Sequence, residues 1–381
     1  MSSLPRYALS ACVAAMAAVI AGCGPDDGWE EFRQGRDAYE KQHDLKKAVR
    51  LLEKSVELSA TNVEALVCLT RINLDLGDLP AANGWIAKAA ELSGSSLDVR
   101  LLRAQLAWHG KDYDAAAKLF SGIADEASLS AEERAQGWSG LGIVEMAKER
   151  RHHARIAFLR AIRLDRRAAA PRYHLGLLYR DFGYCEAALE QFEAFARLDD
   201  VNSPRVQKVR RTVIPELTEM VRRIATERPG ALNRDSAKSA TELAKGDAAF
   251  KKGSYKVARQ HYQAAADSDP LSYLAAIGLA KAWQKSDASQ EGQKKAFESY
   301  RNACSLKPGA IDTFLTAGAL ASRLGMHAQA VEIYSRAVAV APYKLDAIDG
   351  LIRALRRSGG GNAEAQAYQG YRDSLSERGK K

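Results

Sequence analysis

Beyond residue 21 the chain has no apolar run approaching the roughly 20 residues that a membrane-crossing helix needs, which excludes a polytopic membrane protein. Cysteine is scarce, with five in 381 residues. Cys12 and Cys23 lie at the start, and Cys68, Cys185 and Cys304 stand more than 100 residues apart, an odd number at a spacing that does not support a disulfide framework. Cys68 and Cys304 read as small apolar helix residues, and Cys185 lies just after a turn. Phosphate loops, paired-cysteine zinc spacings and nucleophile elbows are all missing. Gly140-Leu141-Gly142 begins like a dinucleotide loop but has no third glycine, so it reads as packing. His152 and His153 are adjacent, and neighbours on a helix do not share a face, so they do not form a metal pair. No catalytic residue, metal ligand or cofactor site is expected.

What is present is a period. Ala48, Ala82, Ala116, Ala154, Ala188, Ala258, Ala296 and Ala330 follow one another at intervals of 34, 34, 38, 34, 70, 38 and 34 residues. A period of that length marks one supersecondary unit copied many times, each unable to bury its apolar face alone. Four residues after each alanine stands a large apolar or aromatic side chain: Leu52, Ile86, Phe120, Phe158, Phe192, Tyr262, Tyr300 or Tyr334. With a third, mostly small residue seven positions on, these form one helical stripe. Upstream, at minus twelve, Thr70, Ala104, Gly142, Gly176, Gly246 and Gly318 are small enough for two helices to cross closely. Turns at Gly77-Asp78, Lys111-Asp112, Gly183-Tyr184, Gly253-Ser254 and Gly325-Met326 separate the helices, and Pro270, Pro308 or Pro342 follows the second. Each unit is therefore an antiparallel helix pair.

These residues resemble the tetratricopeptide repeat family. Trp138, Leu141-Gly142, Ala154, Phe158 and Ala161 make one good copy, Leu175-Gly176, Tyr179, Ala188 and Phe192 a second, and Gly246, Ala258, Tyr262, Ala265 and Pro270 a third. The resemblance implies an all-α fold, a right-handed α-α superhelix of antiparallel helix pairs, and a protein-binding scaffold with no enzymatic activity. Its expected organisation is a leader over 1–22, a first array of five repeats over 23–202, a connector over 203–238, and a second array of three repeats plus a degenerate terminal pair over 239–378. The connector keeps an apolar rhythm through Val206, Val209, Val213, Leu217, Met220 and Ile224, yet Pro215 should kink or break it. It reads as a degenerate repeat or as a capping helix plus hinge, the hinge being favoured. Two departures stand out: Arg36 occupies a position where a small residue is expected, and about four extra residues over 284–291 should lengthen a loop.

The first residues carry a separate signal. Arg6 precedes an apolar run from Ala8 to Ala21, too short to span a bilayer and typical of a cleaved export signal. Ile20-Ala21-Gly22-Cys23 resembles a bacterial lipoprotein cleavage box, which implies lipidation of Cys23 (palmitate among the acyl groups); the alternative is an ordinary signal that ends near a cysteine. Two or three acyl chains, at about 0.8 kcal/mol per buried methylene, would anchor the protein stably. In lipoproteins an aspartate after the cysteine favours the inner membrane; Gly24 here points to the outer membrane, facing the periplasm.

Charge is concentrated in the middle. Between Lys148 and Arg180 ten basic residues stand against Glu149 and Asp165, a balance of +8 out of the whole chain's +9. Arg155, Arg160, Arg163 and Arg167 fall away from the stripe of Ala154, Phe158 and Ala161 and should point outward. They read as a solvated convex face or, alternatively, as a patch for a polyanion, glycan or anionic lipid. Nucleic acid is disfavoured, since no recognition motif accompanies the charge. The family's usual binding surface, the inner face of each first helix, would hold Leu101, Gln105, Trp108, Ile143, Met146, Tyr173, Leu177 and Arg180 as a mostly apolar central groove. Glu30, Arg33, Asp37, Arg71 and Asp75 would flank it on one side, and Asp247, Lys251, Lys281, Lys285 and Arg323 on the other. Such a groove suits a helix or extended peptide from a protein partner, although filling the space between repeats is an equally good reading of Trp108 and Met146. The paired lysine and asparagine clamp by which some relatives hold a terminal carboxylate is not recognisable. Oligomeric state is open.

Overall fold

The computed structural model describes residues 28–227 and 233–376; the expected export signal, Cys23 and Gly24 lie outside the described residues, as do Arg228-Pro229-Gly230. The described residues are helical throughout, with no strand, and the fold is the all-α array of helix pairs that the tetratricopeptide resemblance implies. The backbone divides into two compact units at Ala170/Pro171.

The first unit holds four pairs: α1 (Trp29–Glu40) with α2 (Leu45–Leu58), α3 (Val63–Leu76) with α4 (Leu79–Ser93), α5 (Leu97–His109) with α6 (Tyr113–Asp125), and α7 (Ala131–Ala147) with α8 (Arg151–Leu164). Each second helix packs on its own first helix, and α2, α4 and α6 also pack on the first helix that follows. Consecutive first helices touch directly, α1 on α3, α3 on α5 and α5 on α7, whereas second helices make no comparable contact with one another. Local chemistry starts the helices cleanly. Asp44, Asn62, Asp78 and Asp112 accept a backbone N–H at N-caps, and Ser130 with Glu133 forms a reciprocal capping box. The turn inside each pair needs one residue in the left-handed region; Gly77 supplies it at φ 79°, while His43, Lys111 and Glu149 adopt it without being glycine.

The second unit begins with α9 (Ala169–Asp181, whose first two residues precede the division) and α10 (Cys185–Leu198), joined by Tyr173 packing on Phe192 and Phe195. Residues 203–226 then form α11 (Pro204–Lys208), one π-helical turn (Val209–Val213) and α12 (Ile214–Thr226), with α12 lying on α10. Pro215 neither breaks nor ends this helix. A proline removes an i→i−4 hydrogen bond, and the π turn immediately before it absorbs the mismatch. Next come α13 (Ser236–Lys251) with α14 (Tyr255–Ser268), α15 (Tyr273–Ser286) with α16 (Gln290–Leu306), α17 (Ile311–Arg323) with α18 (His327–Val340), and α19 (Leu345–Arg357) with α20 (Asn362–Ser376). Here too α13 touches α15 and α17 touches α19.

Two local expectations change. The extra residues near 284–291 do not lengthen a loop but start α16 about one turn early, giving it 17 residues against 14 in α14. Ser289 caps this added turn, and the Gln293 amide holds the carbonyl oxygens of Gln284 and Asp287. In the first pair Gly35, one position before Arg36, makes the close approach to Leu52, so the pair stays tight while Arg36 lies over the Phe32 ring.

The bulky residue of each second helix meets two first helices. A methyl group placed on Gly246 would lie 2.8 Å from the Tyr262 ring, and one on Gly278, from the next first helix, 2.6 Å from the same ring. Tyr334 is held in the same way between Gly318 and Gly350, and Phe120 meets Gly140. Such a ring has little room in which to yield. Gly140→Ala is therefore expected to destabilise the first unit by about 1–3 kcal/mol through overpacking against Phe120. Gly84→Ala, on the exposed side of α4 where nothing lies within 4 Å, is expected to stabilise the same unit by about 0.5–1 kcal/mol. Thermal unfolding of the two variants, followed by circular dichroism, checks both signs.

Candidate functional site

First helices run side by side throughout the first unit, and in the second unit α13 with α15 and α17 with α19 do so, whereas second helices do not; the first-helix face is therefore the candidate surface of each unit. In the first unit Gln105, Trp108 and Met146 are half-buried on this face. Leu101 and Ile143 are not groove residues: both are buried, Leu101 in a core with Phe120 and Val144. For Leu101 the reason is the direct contact of α5 with α7, which places it beside Val144. Trp108 leans on the same core and meets His109 edge-on at 4.9 Å. Its indole N–H has no acceptor among the described residues.

In the second unit Tyr173 and Leu177 are half-buried and Arg180 is exposed. Tyr173 is largely occupied: Phe195 is 5.1 Å from its ring centroid, and the Arg205 guanidinium lies 5.0 Å above it.

The arginine face of α8 differs from expectation. Arg155 is completely buried, Arg160 and Arg163 are half-buried, and only Arg167 is exposed. Residues 154–159 are six consecutive buried positions, more than a full helical turn, so α8 is enclosed all round and has no solvent side at Arg155. Arg160 stacks on Trp138 at 4.4 Å, a cation–π contact.

Charges on the two first-helix faces are handled differently. In the first unit Arg33 pairs with Glu30, Asp37 with Lys41 and Arg71 with Asp98, and Asp75 accepts the Tyr39 hydroxyl. In the second, Asp247 accepts the Tyr262 hydroxyl at 2.7 Å, whereas Lys251, Lys281, Lys285 and Arg323 are exposed and make no ion pair among the described residues. Sequence reasoning missed Arg357, at the end of α19, and the apolar Leu274, Ile277 and Leu315. Counting from Lys251, steps of 34, 38 and 34 residues reach Lys285, Arg323 and Arg357, so the repeat period already contained the signal.

Cys68, Cys185 and Cys304 are buried free thiols; burial pushes Cys68 up to about 11 and Cys304 up to about 12, which keeps them protonated and inert. Among the described residues no group of three or more His, Cys, Asp or Glu is placed to hold a metal, and no helix is long and apolar enough to cross a membrane.

Residues 234–379, under half of the chain, match the family described as Bacterial transcriptional activator domain. No curated protein matches the sequence. Among solved structures, the chain is similar to TTC0263, a thermophilic TPR protein of Thermus thermophilus, at 18% identity and a TM-score of 0.43, over 50% of this chain and 99% of that one. It is similar to Pseudomonas aeruginosa pilF at 15% identity and a TM-score of 0.40, over 54% and 94%. A likeness to MamA of Desulfovibrio magneticus RS-1 has 18% identity and a TM-score of 0.36, over 45% and 95%.

Two histidines give the fold a pH dependence. His152 and His174 are each pushed down to about 3, first by burial and then by neighbouring positive charge, Arg155 and His153 for the one and Arg205 for the other. Unfolded histidine binds a proton near pH 6.5, so the unfolded state takes up protons that the folded state refuses, and stability falls as pH drops from 6.5 toward 3. The melting temperature is expected to be lower at about pH 5 than at about pH 7.5, and His174→Gln to narrow that difference. A scanning-calorimetry pH series on both proteins measures this.

Proposed function

We propose that the chain is a non-catalytic scaffold that binds protein or peptide partners and is held in the bacterial cell envelope by lipid on Cys23, as an adaptor for envelope assembly or for secretion or pilus machinery. The observation that carries the binding half is the first-helix face. Each unit uses its second helices and their bulky side chains for packing and leaves first-helix side chains such as Trp108, Met146, Leu274 and Leu315 partly exposed beside charge. The envelope half is supported by Arg6, the apolar run Ala8 to Ala21 and the box ending in Cys23; Gly24 favours the outer membrane, facing the periplasm.

Two other readings are weaker. A polyanion-binding surface on α8 is narrowed by the burial of Arg155, with Arg167 the one exposed arginine of the four. A regulator role, suggested by the name of the family matching residues 234–379, leaves the export signal unexplained.

Crosslinking the protein in its own cells, followed by purification and identification of attached proteins, tests the scaffold. Trp108→Ala with Met146→Ala is expected to reduce partner capture several-fold, and Arg167→Ala to leave it unchanged; the reverse favours the polyanion reading. Cys23→Ser is expected to move the protein from the membrane to the soluble fraction. A variant that stays in the membrane sinks the lipid anchor, and a wild-type protein found with the chromosome favours the regulator.

A further inference from the structure

Four consecutive first helices of the second unit end in a cation at one register position: Lys251 on α13, Lys285 on α15, Arg323 on α17 and Arg357 on α19. All four are exposed and without an ion-pair partner among the described residues. The corresponding positions in the earlier helices are Lys41, Asp75, His109, Ala147 and Asp181. A cation at a helix C-terminus complements the macrodipole, but that benefit applies to every first helix and does not explain why the row is complete in one array and absent from the other. We propose that this row is a docking surface for an acidic, extended segment of a protein partner. The proposal rests on the scaffold reading and names the class of partner for the second unit.

Geometry and charge both bear on the occupant. Neighbouring packed helices lie about 8–10 Å apart, the distance spanned by three residues of an extended or polyproline II chain at roughly 3.1–3.4 Å each. α13 and α15 pack directly, α17 and α19 do likewise, and α16 bridges α15 to α17, so the four cations form one series. Within each directly packed pair, α13 with α15 and α17 with α19, an acidic residue at every third position meets one cation per step. Leu274 and the half-buried Ile277 and Leu315 lie toward the N-terminal ends of α15 and α17, away from the row, so the row itself is a charge-recognition surface. Nearby acids do not cancel the row. Asp247 is engaged by the Tyr262 hydroxyl and Asp349 by Arg372, while Asp312 and Asp346 sit in the first turns of their helices, about 16 Å along the axis from the cations.

The test uses the full chain and a fluorescent peptide, capped at both ends, of four Glu-Leu-Ala repeats. A second peptide of the same composition has its four glutamates contiguous. Fluorescence anisotropy at low and high salt is expected to show salt-sensitive binding of the first peptide and clearly weaker binding of the second. Replacing Lys251, Lys285, Arg323 and Arg357 together by alanine is expected to weaken binding by about tenfold or more, as the sum of four exposed charge contacts. Replacing Lys252, Lys256, Lys294 and Arg301, equally exposed cations elsewhere in the unit, should change it little. The proposal is overturned if the peptide does not bind the wild type, if spacing makes no difference, if both variants lose affinity equally, or if phosphatidylglycerol vesicles or RNA bind through the row while the peptide does not. A cellular partner captured by the wild type and equally by the row variant would defeat this proposal and leave the scaffold standing; no captured partner at all would defeat the scaffold itself.

Discussion

The structure depends on one steric constraint: the bulky residue of each second helix must fit between its own first helix and the next one. At Tyr262 and Tyr334 the ring meets a glycine of its own first helix and a glycine of the next one. Where the bulky residue is Ile86, the corresponding first-helix residues are Thr70 and Leu102, both buried. At these positions the larger ring faces the smaller residues, as dense packing requires. This contact joins repeats in series as well as closing each pair. It explains why first helices touch one another along the first unit, and in the pairs α13/α15 and α17/α19 of the second, while second helices splay.

The same contact connects the core to the first-helix face. Tyr262 donates its hydroxyl to Asp247 and Tyr300 to Gln284, while Arg353 donates to the Tyr334 hydroxyl. A phenol is long enough to cross the helix pair with its ring in apolar surroundings and its oxygen at the polar edge. Burial holds these hydroxyls in the protonated form, with Asp247 reinforcing this at Tyr262. Residues on the face are thereby positioned from inside. The phenylalanines at the corresponding places in the first unit, Phe120 and Phe158, carry no such polar end.

Period alone made the helix pairs legible, because alanine, bulky residue and upstream small residue each recur in phase. The second glycine position, filled by Gly140, Gly278 and Gly350, is less legible because its contact is with the preceding repeat; of the three only Gly140 reads as a packing residue from sequence. Side-chain direction was harder. The outward direction of Arg155 was inferred from a single stripe, and that inference holds only for a helix covered on one side; α8 is covered on all sides. Leu101 and Ile143 lie on the inner face by register, yet both are buried, Leu101 through the contact between α5 and α7. Pro215 and the insertion near residue 287 show a similar limit. A local breaker or insertion can be absorbed by a π turn or an extra helical turn, and which of these happens depends on neighbouring caps such as Ser289 and Gln293.

The two units therefore differ less in fold than in what they leave unbalanced. On the first, charged residues of the first-helix face are engaged within the molecule, Arg33 by Glu30 and Arg71 by Asp98, and half-buried Trp108 and Met146 remain between them. Exposed pairs of this kind contribute little to stability, but they neutralise the field that a ligand would meet. On the second, acids are satisfied locally while a row of cations is not, so a net positive field persists along one edge. A scaffold whose repeats are fixed by the ring-and-glycine contact can vary such surface charge at almost no cost to folding. Specificity is then free to differ from one array to the next while the packing residues stay in phase, and the unmatched cations of the second unit are where that freedom has been used.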